Sequence, residues 1–182
     1  MHARAALFVA LLALGSWTTP SHAERVDRVL AVVGDRIVTV SDVEIEDALV
    51  GHLDCPEPAL CNAAVSTLDR LIDIAIIRGL AGDAATYRPP PGDLDRRLIT
   101  VRASWSDPEG YGRFLTRFGF GEDDFAGLVF SRMVVERYVQ RNVVIAFEAT
   151  GSTPNVQSSF DEWIGRRRAQ VSIRRVAALE GG

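Results

Sequence analysis

The chain of 182 residues contains no lysine; all 20 of its basic residues are arginine. That excludes chemistry that needs an ε-amine, such as a Schiff base. Histidine is scarce, with only His2, His22 and His52. A histidine-based triad or metal centre therefore has few candidates. No Gly-x-Ser-x-Gly elbow occurs. Gly119 and Gly121 flank Phe120 after a helix-like stretch rather than a strand, so no phosphate loop is indicated. A net charge of −4 gives no electrostatic case for nucleic-acid binding. No apolar run reaches the ~20 residues of a membrane-spanning helix, so stable membrane insertion is not expected. No internal repeat is visible, and nothing in the composition calls for a cofactor.

What is present begins with a leader. Arg4 and the free amine precede an apolar stretch, Ala5 to Leu14, and Ser21-His22-Ala23 offers small residues at the positions a signal peptidase reads. Residues 1–23 read as a cleavable signal peptide, and residues 24–182 as one exported domain. No cysteine follows the apolar run, so a lipoprotein anchor is not indicated. The two cysteines, Cys55 and Cys61, bracket Pro56-Glu57-Pro58-Ala59-Leu60. In an oxidising compartment a close even pair reads as a structural disulfide. The alternatives are a metal site, for which only His52 could add a ligand, and a redox pair, which usually shows Cys-x-x-Cys.

Periodicity predicts a mostly α, α+β domain. Val29, Ala31 and Val33 share one face of a strand, with Leu30 and Val32 on the other. Gly34-Asp35 supplies a tight turn that demands positive φ, and Arg36 to Val40 returns as a hairpin. Ser41 is the expected N-cap of a helix from Asp42 to about Leu53, with Glu44 completing a capping box. Leu68, Leu71, Ile72, Ala75, Ile76 and Leu80 give the strongest helical period, and Ile74 and Ile77 add a second apolar face, which predicts burial. A helix follows from Asp93 to about Trp105. A short one runs from Glu109 to Phe118, capped by Ser106. A third, with Glu122-Asp123-Asp124 in its first turn, runs to about Arg141. Gly151-Ser152-Thr153-Pro154 reads as a linker. A last helix spans Val156 to about Arg168. Gln170 to Val176 alternates apolar and polar, a strand whose simplest partner is the N-terminal hairpin.

The segment Val26 to Val43 resembles the opening of SurA-type periplasmic chaperones. So does Leu68-Asp69-Arg70-Leu71-Ile72-Asp73 at the start of the apolar helix. Asp93 to Val143 is similar to the family in its order of helix, short aromatic helix, glycine turn and acidic helix start. Phe160 to Val176 is similar to the family's returning C-terminal segment. The resemblance covers nearly all of residues 24–182, and its specific part is the order of the pieces. It implies an ATP-independent periplasmic holdase that binds unfolded or nascent exported polypeptides, outer-membrane protein precursors above all. Family members carry a parvulin prolyl-isomerase domain of about 90 residues that would fall near residues 147–154; here a short loop stands in that interval. Only His52 remains after processing to serve a parvulin-type site. A prolyl isomerase is thus the enzymatic alternative, and a dedicated subunit of an envelope assembly is a third reading. A homodimer formed by exchanging hairpin or terminal strand fits the same topology.

Three clusters carry candidate function. Trp105, Tyr111, Phe114, Phe118, Phe120 and Phe125 crowd around two turns; they are either core or the lining of a client groove, whose rim would be acidic. Asp69 with Asp73 reads as caps and solvated faces rather than metal or acid–base groups. Arg166-Arg167-Arg168 with Arg174 and Arg175 reads either as favourable charge at a helix C-terminus or as a dock for anionic headgroups. His52 is expected as a surface residue at a helix end. No catalytic residue and no metal ligand set is expected.

Overall fold

The computed structural model describes residues 27–107, 109–145 and 156–176. The leader, the linker at 151–154 and the shortened 149–154 loop lie outside the described residues. The fold is mostly α with one small antiparallel sheet, as periodicity predicts. Strands β1 (Val29–Val33) and β2 (Arg36–Thr39) form the hairpin. Gly34 takes φ +60°, and it is the one turn residue of the pair with positive φ. The returning segment supplies β3 (Ile173–Arg175), and the order is β2-β1-β3, all antiparallel. The two ends of the domain therefore meet in one sheet. Its inner face is Ala31, Val33 and Val38, all buried.

Helix α1 spans Val40–Leu49 and starts two residues before the expected Asp42, so Ser41 lies inside the helix rather than at its cap. Thr39 caps instead, because Thr39-x-x-Asp42 forms its own reciprocal box. The Asp42 N–H donates to Thr39 Oγ1 at 3.3 Å, and the Thr39 N–H donates to Asp42 Oδ2 at 2.8 Å. The strand runs straight into the helix with no linker. The helix also ends four residues short of Leu53, because Gly51 adopts φ +89°. Helix α2 (Thr67–Ala81) is capped by Ser66 and stopped by Gly82 at φ +53°. It buries Ile72, Ile76 and Ile77, while Leu80 is 40% exposed rather than part of the core.

Helix α3 spans Asp93–Ala103, α4 spans Gly110–Phe118, and α5 spans Glu122–Val139, continuing through one π-helical turn at Gln140–Val144. Ser106 does not cap α4. The Glu109 N–H donates to Asp107 Oδ1 and the Gly110 N–H to the Asp107 carbonyl, both at 2.9 Å. Helix α6 spans Val156–Arg168. Cys55 and Cys61 form a disulfide with Cα atoms 6.3 Å apart. It staples a short 3₁₀ turn, Pro58–Cys61, that drops Leu60 into the core at 2% exposure.

Two apolar clusters result. The larger one joins the sheet, α2, the C-terminal half of α5 and α6, through Ile77, Val135, Val139, Phe160 and Trp163 among others. The smaller one joins the end of α1, α3, α4 and the N-terminal half of α5, through Leu49, Val101, Phe114, Phe125 and Val129.

Candidate functional site

The six candidate aromatics all belong to the smaller cluster, but they divide by burial. Phe125 is fully buried and Phe114 is 4% exposed, whereas Trp105, Tyr111, Phe118 and Phe120 are half-buried. Phe114 is the hub: its ring lies 5.5 Å from Trp105, 5.0 Å from Phe118, 6.1 Å from Phe120 and 5.8 Å from Phe125. Tilted and edge contacts at these spacings are favourable beyond area burial.

A groove of about 560 Å³ opens beside this hub, walled by Ala48, His52, Trp105, Phe114 and Phe118. Tyr111, Phe120 and Phe125 do not line it. Tyr111 is occupied elsewhere, since its hydroxyl donates to Glu122 Oε2 at 2.9 Å, beside Arg102 at 2.5 Å from the same oxygen. Gly110 opens α4 tight against the groove wall; a Cβ there would stand 3.1 Å from the Trp105 ring. Any larger residue would make the indole give by a few tenths of an ångström.

His52 is not a bare surface residue. Its ring stacks on Trp105 at 3.7 Å and 6° between planes, and Nδ1 lies 3.1 Å from Ser104 Oγ. The early stop of α1 at Gly51 turns His52 back onto α3, which local sequence pattern does not encode. The Trp105 Nε1–H is enclosed and meets no acceptor among the described residues. An enclosed unpaired donor is uncommon and costs roughly 1–3 kcal/mol.

The rim is mixed rather than acidic. Arg113 pairs with Asp107 and with Glu109, while Arg117 stacks 5.0 Å from the Phe118 ring centroid. Among the described residues Arg117 has no carboxylate partner, so the rim carries a free cation on an apolar wall.

The charge clusters that looked separate in sequence meet in space. Arg168 Nε and Nη2 donate to the two Asp73 oxygens at 2.6 and 2.8 Å, and Arg175 pairs with Asp69. Burial pushes the Asp73 carboxyl up, against the pull of Arg168. Asp69 goes the other way, held down first by the Ser66 hydroxyl, with Arg175 adding to it. Arg166 pairs with Glu162 in the last turn of α6, and Arg167 donates to Gln170 at 3.0 Å. Two of the five arginines, Arg168 and Arg175, therefore hold α6 and β3 to α2. No group of three or more potential metal ligands gathers among the described residues. No described helix is long and apolar enough to cross a membrane.

The chain matches no protein-family model and no curated protein sequence.

Proposed function

We propose that the protein is an ATP-independent holdase for unfolded exported polypeptides, with outer-membrane β-barrel precursors as its client class. The reading rests on the resemblance to SurA-type chaperones, and the observation that supports it is the groove of Trp105, Phe114 and Phe118. It is about 560 Å³, walled by aromatics and open to solvent. Such a surface takes apolar side chains with little sequence readout, as reversible binding of varied clients requires. The compartment of action is the periplasm, reached through the leader.

The test is light scattering of a denatured outer-membrane protein diluted into buffer with the protein. Suppression near stoichiometric ratio is expected, and Phe118→Ala should weaken it several-fold. No suppression at several-fold excess of folded protein would overturn the reading in favour of a dedicated assembly partner.

A further inference from the structure

An antiparallel sheet packed on one side ordinarily turns polar side chains to water on the other. This sheet is apolar on both faces. Ala31, Val33 and Val38 are buried on the side of α2. Across the opposite face the register aligns Ile37, Val32 and Arg174 in one row. The Val176 N–H donates to the Leu30 carbonyl at 2.9 Å, which sets Leu30 and Val176 in the next row of the same face. Ile37 is 59% and Val176 47% exposed, while Leu30 and Val32 are half-buried. None of the four belongs to either apolar cluster. Arg174 stands exposed among them, and its guanidinium has no partner among the described residues. The next residue, Arg175, lies on the other face and pairs with Asp69. At the two ends of the hairpin, Arg28 and Arg36 are exposed and also lack a side-chain partner among the described residues. Of the carboxylates nearby in sequence, Asp27 accepts from the Ser41 N–H at 3.2 Å and Asp35 stands in the turn.

We propose that this outer sheet face docks the protein on a lipid bilayer that bears anionic headgroups. A contiguous exposed apolar face rimmed by charge marks an interaction surface. Three strands of this length present roughly 240 Å². A stable protein partner, a second copy included, needs ~800 Å² on each side. A bilayer sets no such threshold, because binding scales with the apolar area inserted plus the attraction to anionic lipid. The four aliphatic side chains enter the boundary between headgroups and acyl chains. The Arg174 stem lies along them and its guanidinium reaches the phosphates, with Arg28 and Arg36 at the margins. The chain as a whole has a net charge of −4, so the attraction is local to this face and is weakened by salt.

The experiment is co-sedimentation of the purified protein with vesicles of phosphatidylcholine alone and of phosphatidylcholine mixed equally with phosphatidylglycerol, at low and at physiological salt. Binding is expected on the mixed vesicles, several-fold weaker on the neutral ones and weaker at the higher salt. Arg174→Gln should lower partitioning to the mixed vesicles about fivefold, the share of one basic residue at such a surface. Ile37→Ser should lower it by a similar factor on the apolar side. Both positions are exposed, so both variants are expected to keep the native circular dichroism. Arg88→Gln makes the same charge change at an exposed position outside the sheet and should leave binding unaltered. Equal losses for Arg88→Gln and Arg174→Gln, or no loss for Ile37→Ser, would overturn the proposal in favour of diffuse charge adsorption. Binding to neither vesicle by folded protein would overturn it outright. A dimer in sedimentation that Ile37→Ser dissolves would assign the face to a second copy instead. None of these results bears on the aromatic groove, which shares no residue with this face and is read by client aggregation.

Discussion

The two apolar clusters are built on opposite plans, although one helix runs through both. The larger is mainly aliphatic, is assembled from both ends of the domain and is closed from outside by ion pairs. The smaller is aromatic, is drawn mainly from residues 94–133 and is left open along one side. Helix α5 gives Phe125 and Val129 to the open cluster, then Val134, Val135 and Val139 to the closed one. The difference separates two tasks. The closed half fixes the fold by long-range pairing, and the open half keeps apolar surface within reach of solvent.

The sharpest way to break this division is within the open half itself. Phe125→Ala removes a fully buried ring, and a loss of about 3–5 kcal/mol is expected in denaturant unfolding. Phe118→Ala, half-buried on the groove wall, should cost under about 1 kcal/mol while weakening client protection. Equal stability losses would mean that the groove is ordinary core.

In the closed half the corresponding break is Asp73→Ala, which strips Arg168 of its bidentate partner. Buried pairs broken on one side lose ~3–5 kcal/mol. Arg168 is one-third exposed, so about 2–3 kcal/mol is the expected loss here. Charge reversal of the pair, Asp73→Arg with Arg168→Asp, should recover part of it. A double variant no better than its worse parent would show that burial of α6, not the ion pair, closes the sheet end. Reducing the disulfide should cost about 2 kcal/mol on the chain-entropy account of so short a loop. The loss should register in both halves, since Leu60 packs in the closed cluster while Cys55 and Cys61 line a cavity with Leu49 and Leu53 of the open one.

What could be read in advance follows the same boundary. Strand alternation, the helical period of α2 and the turn glycines are local signals, and they placed the elements and the three-stranded sheet. The cap frame at Thr39 was missed because two capping boxes overlap by two residues, and local pattern does not rank them. The charge pairing was missed because its partners lie far apart, 95 residues for Asp73 and Arg168 and 86 for Glu46 and Arg132. A signal did exist. Glu46 stands three residues from both Val43 and Leu49, on the apolar stripe of α1, and a carboxylate there demands a buried cation. Of the aromatics, spacing identified the cluster but not which rings face the groove. That depends on where α1 stops, and hence on Gly51.

The finest contrast concerns a single carboxyl at the seam between the halves. Glu57 is 8% exposed inside the disulfide loop, and burial pushes its carboxyl above the usual glutamate range. Among the described residues no cation pairs with it, unlike Glu46 or Glu136. A raised carboxyl means that the folded state holds its proton more tightly than the unfolded chain does. The fold therefore suffers no penalty below the unfolded value, near 4.3, and carries the full penalty above the folded one. Glu57→Gln removes the charge and keeps the shape. It should raise the melting temperature at pH 7.5 by a small amount, roughly 1–2 °C, and leave it unchanged at pH 4. A rise of the same size at both pH values would assign the effect to amide hydrogen bonding instead. A fall at pH 7.5 would mean that Glu57 serves as a counter-charge to Arg97 and Arg132, which face Glu136.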